Sequence, residues 1–146
     1  MDIEKYILNF IKIRPRSKKE VSQRLIDKGV SKDEIQKILD AYEKKGFLGD
    51  DGFTKWWIEQ RLLSYKARLL IEQELLQKGI DLDLIEKNMD LMDVDDKKTI
   101  KRFAKDHFDN NCKDLEKEKI KIYRKLLSKG FAAQDIEEFF DIKEIS

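Results

Sequence analysis

Lys12, Arg14, Arg16, Lys18 and Lys19 stand close together with no acid among them. Ammonium and guanidinium groups at this density attract phosphate or carboxylate, and they bind rather than transform. A second group follows: Trp56, Arg61, Tyr65, Lys66 and Arg68 mix cations with aromatic rings able to pack on protein or on a base. The competing reading of both groups is a solvated face that serves only solubility. Other reactive side chains fall into no working set. His107 has no second histidine, and Cys112, the single cysteine, lies five positions on; a surface or interfacial histidine is the expectation. Asp50 and Asp51 lack the spacing of a calcium loop. No glycine-rich phosphate loop occurs, and no nucleophile sits in a Ser/His/acid or Cys/His setting. The sequence therefore points to no catalytic residue, no metal ligand, no cofactor and no enzyme.

What must position these groups is a stretch used three times. Residues 21–35, 71–85 and 122–136 align on Gly29, Gly79 and Gly130, with periods of 50 and 51 residues. Each copy carries an apolar residue eight before the glycine, a leucine four before it (Leu25, Leu75, Leu126), a lysine just before it and an isoleucine six after it (Ile35, Ile85, Ile136). Periods of this length are produced by repeated helical units. Equivalent positions in three copies are expected to be core positions.

Apolar spacing and stop signals divide each copy into helices. Ile3, Tyr6, Ile7, Phe10 and Ile11 form a stripe that Arg14-Pro15 should end, because the residue before proline is pushed out of the α region. Ser17 with Glu20, and Ser31 with Glu34, read as capping boxes. Val21, Leu25 and Ile26 supply the next stripe, and Gly29 its left-handed stop. Phe47 and Leu48 are expected to fold back as plugs into the first core, and Asp50 or Asp51 to cap the helix that follows. Of Trp56 and Trp57, one should be core; the other packs on a neighbouring unit or is an exposed contact. Asp90, Asp93, Asp95 and Asp96 mark a boundary, Asn110-Asn111 interrupt a helix, Asp114 caps the next, and Ile142 and Ile145 cover the end. The expected fold is all-α: a tandem array of three three-helix units, residues 1–48, 49–92 and 93–146, elongated and curved.

Composition agrees. Charged residues make up 42% and hydrophobic residues 40%, with one proline and six glycines, a helix-prone balance with too few loop formers for a strand sandwich. No stretch is apolar enough to span a membrane and no signal-peptide core opens the chain, so a cytoplasmic, reducing setting is expected. Net charge is only +1, which weakens global steering toward nucleic acid. Residues 1–80 hold 17 basic and 13 acidic side chains, residues 81–146 14 and 17, so the front half is the more basic.

At this point the chain resembles the bacterial regulatory RecX family. Arg14, Ser17, Glu20, Val21, Leu25 and Lys28-Gly29 match the family's first-unit pattern, and Gly46-Phe47-Leu48, Asp50-Asp51 and Phe53 match its connector. Arg61, then Ile71, Glu74-Leu75, Lys78-Gly79-Ile80 and Ile85, match the second unit; Arg124, Leu126, Gly130-Phe131 and Ile136 match the third. Two features depart from it. Ser64-Tyr65-Lys66-Ala67-Arg68 stand where family members usually place glycines and often a proline, and the chain starts almost directly at its first helix, without the leader some members have. The resemblance implies a monomeric modulator, mainly negative, of RecA recombinase, one that binds the RecA–single-stranded-DNA filament and limits its growth, strand exchange and ATP hydrolysis. It would thereby temper recombination and the SOS response. The residues alone leave two other readings open: a module that binds single- or double-stranded DNA directly, and a non-enzymatic helical adaptor.

Overall fold

Ser17 closes the start of a helix with a reciprocal pair of bonds. Its hydroxyl accepts from the Glu20 N–H at 3.1 Å, and the Glu20 carboxylate accepts from the Ser17 N–H at 3.2 Å. Caps of this kind recur along the chain. Asp2, Asp95 and Asp114 accept first-turn N–H groups at three other helix starts. Ser31 makes only the forward half of its expected box, accepting from Glu34. A computed structural model describes residues 2–145, with side chains described over residues 2–141; the side chains of Ile142 and Ile145 lie outside the described residues.

Among the described residues there are nine helices and no strand: α1 (Ile3–Ile13), α2 (Lys18–Asp27), α3 (Lys32–Lys44), α4 (Asp50–Leu63), α5 (Arg68–Gln77), α6 (Leu82–Leu91), α7 (Asp96–His107), α8 (Leu115–Ser128) and α9 (Ala133–Ile145). They form repeated three-helix units. The aligned copies are the middle and last helix of each. The glycines that separate those two helices have φ of 81°, 83° and 96° at Gly29, Gly79 and Gly130. The following N–H returns to the carbonyl five residues back each time: Val30 to Leu25, Ile80 to Leu75, Phe131 to Leu126. This is the left-handed helix stop that glycine permits without a Cβ penalty.

The aligned apolar positions are core in all three copies. Val21, Ile71, Ile122, Leu25, Leu75 and Leu126 are wholly buried, and Ile35, Ile85 and Ile136 are buried beside them. Some neighbours were expected inside and are not. Ile26 is half exposed, and Phe47 is exposed while Leu48 alone enters the core. On α2 a 3.6-residue turn that buries Leu25 points Ile26 away from the same partner.

The chain gathers into two compact units. One comprises residues 1–58 and 74–88; the other comprises residues 59–73 and 89–146. Helices α4, α5 and α6 therefore contribute residues to both. In the first unit, Ile7, Val21, Leu25, Ile35, Leu39, Tyr42 and Leu48 make one core cluster. In the second, Ile100, Phe103, Ile122, Leu126, Phe131 and Ile136 make another, which also takes in Ala67.

Consecutive repeats are tied together inside each unit by the same device. Asp50, which with Asp51 was a candidate cap for the helix that follows, instead opens α4 and accepts from the N–H of Lys18, the first residue of α2, at 3.0 Å. Asp96, opening α7, does the same for Arg68, the first residue of α5, at 2.9 Å. The second connector acid, Asp51, accepts from the buried Asn88 amide at 3.1 Å and pairs with Lys55 at 3.0 Å.

Candidate partner-binding surfaces

The basic run of the first unit is assembled by the end of α1 and the start of α2. Lys12 and Lys19 are exposed; Arg14, Arg16 and Lys18 are half-buried and engaged within the unit. Arg14 forks onto Glu20, with contacts of 2.5 and 3.4 Å, and lies over the rings of Trp56 and Trp57 at 5.6 and 5.9 Å. Arg16 donates to the Phe10 carbonyl and stacks on the Phe10 ring at 3.8 Å. Lys18 pairs with Glu43, and Lys19 donates to the Gln77 carbonyl at 3.2 Å. Neither tryptophan is core: both are half-buried and lie 6.2 Å apart, and Phe53 takes the buried place beneath them. With Phe53 in that place, the indoles lie under the cations Arg14 and Lys78.

Around this run lies an open cleft of about 570 Å³ in which Arg14, Arg16, Lys19, Arg24 and Lys78 outnumber Glu20 and Asp27. Arg24 stacks on the Phe10 ring at 4.6 Å. Burial, Arg14 and Arg24 lower the proton affinity of the Arg16 guanidinium, with Glu20 offsetting part of that. Burial alone would raise the Glu20 carboxyl's pKa. The hydrogen bonds from Arg14 and the Ser17 N–H, with the charges of Arg14 and Lys78, reverse this and hold it below the usual carboxylate range.

That direction carries a prediction. A carboxylate held low in the folded state contributes stability above its unfolded pKa of about 4.3, and that contribution is lost as pH falls through the folded value. Asp96 works with the opposite sign: burial raises it, with Asp95 and Asp135 adding to the effect, and the Arg68 N–H offsets only part. Its ionisation therefore opposes folding as pH rises. Denaturation followed from neutral pH down to about pH 3 should show Glu20→Gln flattening the acid loss of stability and Asp96→Asn steepening it. Equal slopes in both variants would contradict the assignment.

In the second unit Tyr65 packs against side chains of α7. Tyr65 occupies the left-handed region at φ 59°, which costs a non-glycine residue about 1–2 kcal/mol. The side chain recovers it by packing. Its ring sits edge-on to Phe103 and His107 at 5.2 Å each, under the Arg102 guanidinium at 4.5 Å, and its hydroxyl donates to Asp106 at 2.7 Å. Lys129 donates to the Ser64 carbonyl at 3.1 Å beside that ring. Burial first, then repulsion from Lys66, Lys125 and Arg61, lower its proton affinity, a sign of crowded positive charge. Arg68 is held differently, bound to Glu72, Asp90 and the Val94 carbonyl at 3.1–3.3 Å. Its guanidinium fastens the segment around it.

The ten sequence-predicted binding residues thus fall into two sets, Lys12 to Trp56 in the first unit and Arg61 to Arg68 in the second. Sequence reasoning missed Arg24, one turn further along α2, and Lys78, Arg102, Lys125 and Lys129, which come from other segments. One signal was visible. The lysine before each repeat glycine lies over an aromatic ring of its unit's first helix: Lys28 over Tyr6 at 4.9 Å, Lys78 over Trp57 at 5.3 Å and Lys129 over Phe103 at 5.6 Å. Reversing Arg14 or Arg68 would break ties to half-buried carboxylates.

Among the described residues no group of three or more His, Cys, Asp or Glu could hold a metal ion, and no helix is long and apolar enough to cross a membrane. Repeated three-helix units bearing clusters of cations and aromatic rings define a helical-repeat scaffold. The family profile described as RecX, first three-helix domain, matches residues 5–40. Regulatory protein RecX of Clostridium tetani is 30% identical over 134 residues, 88% of this chain and 61% of that protein. Its counterpart in Oceanobacillus iheyensis is 29% identical over 85% of this chain, which spans 47% of that relative's length. RecX of Shigella dysenteriae serotype 1 is 28% identical over 91% of this chain and 86% of its own. The crystal structure of RecX from Lactobacillus salivarius shares the fold, with a TM-score of 0.70 over 97% of this chain and 94% of that one, at 19% identity. Over most of its length the chain is thus similar to regulatory proteins named RecX, of which it spans 61% in the first case and 47% in the second.

Proposed function

We propose that this chain is a modulator, mainly negative, of RecA recombinase, binding the RecA–single-stranded-DNA filament in the cytoplasm as a monomer and limiting filament growth, strand exchange and ATP hydrolysis. The observation that carries the reading is the threefold recurrence of one helical unit in a chain whose relatives are regulatory proteins named RecX. A repeating ligand suits a repeating target, because several weak contacts on one scaffold act at high effective concentration. In this reading the repeats at 1–48, 49–92 and 93–146 are the binding modules. Lys12, Arg14, Arg16, Lys18, Lys19 and Trp56 serve one contact surface and Arg61, Tyr65, Lys66 and Arg68 another, meeting acids of RecA or phosphates of DNA.

The test is co-sedimentation with RecA filaments assembled on single-stranded DNA, compared with free RecA and free DNA over a salt series. Retention by filaments above both controls, with slowed ATP hydrolysis, is expected. Equal or tighter binding to bare DNA would replace this reading with the direct DNA-binding one. Lys12→Glu combined with Lys66→Glu and Lys125→Glu should weaken filament binding while helicity stays unchanged. If phosphate is the target, each lost contact should also reduce the salt slope by about 1. Full inhibition by the folded triple variant would remove these side chains from the interface.

A further inference from the structure

The connector between α3 and α4 leaves a large aromatic side chain outside. Phe47 is held by its N–H to the Tyr42 carbonyl at 2.9 Å and by an edge contact with the Tyr42 ring, yet it is 53% exposed, while Leu48 fills the core below. Ile13, at the end of α1, is 77% exposed. Single exposed apolar residues are ordinary, but these two line the same cleft, of about 620 Å³, within the first compact unit.

Three glycines also line it, and a Cβ at Gly46, Gly49 or Gly52 would meet nothing within 4 Å, so the space beside the backbone is open. Its charged lining is Lys12, Arg14 and Arg16, with no acid. Arg14 and Arg16 are already engaged, but Lys12 is exposed and makes no hydrogen bond or ion pair with a described residue. The cleft therefore combines apolar anchors, room for a side chain and a wholly basic rim. Duplex phosphate would use the rim and leave Ile13 and Phe47 without a partner. An acidic peptide carrying one large apolar residue uses both.

We propose that the Ile13–Phe47 cleft is a docking site for an acidic protein segment anchored by a large apolar side chain. This deepens the reading of the basic run as a partner surface and rests on it only for the partner being a protein.

The probe is a short fluorescein-labelled peptide of glutamates around a single phenylalanine. The controls are the same peptide with alanine for the phenylalanine, a lysine version, and a single-stranded oligonucleotide. Anisotropy should show binding of the first peptide alone among the peptides. Ile13→Ser and Phe47→Ser should each weaken it at least about tenfold, and Lys12→Glu should weaken it in a salt-dependent way. Circular dichroism checks the fold, and Ile13→Ser serves alone if Phe47→Ser unfolds. Equal binding of the phenylalanine and alanine peptides, or no effect of Ile13→Ser, overturns the proposal, as does displacement of the peptide by the oligonucleotide at equal concentration. The filament assay on the unaltered chain separates the two readings: retention by filaments with no peptide binding sinks only the cleft, and peptide binding with no retention sinks only the filament reading.

Discussion

Leu75→Ala is expected to destabilise the protein by about 2–5 kcal/mol, the cost of deleting a wholly buried leucine side chain and leaving a cavity. Leu25→Ala and Leu126→Ala should fall in the same range, because each is wholly buried at the equivalent place of its repeat. The informative control is one residue away. Leu76 is half exposed on the same helix, so Leu76→Ala should change stability by less than about 0.5 kcal/mol. Chemical denaturation of the pair reads the difference directly. A Leu75→Ala loss no larger than that of Leu76→Ala would mean the helix face is wrong.

Gly79→Ala should cost about 2–4 kcal/mol, and Gly29→Ala only about 1 kcal/mol, although the two backbones are nearly identical at φ 83° and 81°. The shared part is the left-handed conformation. The extra part at Gly79 is space. A Cβ there would stand 2.7 Å from Cβ of Lys19 in α2, and an atom so close to the backbone cannot swing aside. At Gly29 a Cβ would meet nothing within 4 Å. Gly130 is intermediate, with the Leu70 and Ala67 Cβ atoms at 3.2 and 3.4 Å. Melts of the three alanine variants should therefore rank 79 worst, then 130, then 29. Equal losses at Gly29 and Gly79 would show that the α2 contact yields freely and that only backbone strain matters.

The sequence by itself determined the repeat, the helix count, the glycine stops and the three sets of core residues. These rest on local rules. A helix has a fixed turn of 3.6 residues, so apolar spacing reveals a buried stripe, and a cap or a left-handed stop involves residues within one turn. Ser17 with Glu20 and Gly29 with Val30 are legible for that reason.

Only the tertiary structure decided which side chain answers which across long separations. Adjacent candidates such as Leu25 and Ile26, Phe47 and Leu48, or Trp56 and Trp57 have the same composition-level appeal, and the packing partner chooses between them. Asp50 reads as a cap for its own helix but closes α2, which lies thirty-two positions earlier in the chain. The five-cation run reads as bare charge, yet Arg14 folds onto Glu20 and the tryptophan platform, Arg24 joins its cleft from further along α2, and Lys78 joins it from a distant segment. Tyr65 reads as a candidate contact residue, and its left-handed backbone and its packing against Phe103, His107 and Asp106 appear only in the fold. Local periodicity is set by backbone geometry that every residue shares, whereas these pairings are set by which segments the folded chain brings within a few ångströms of each other.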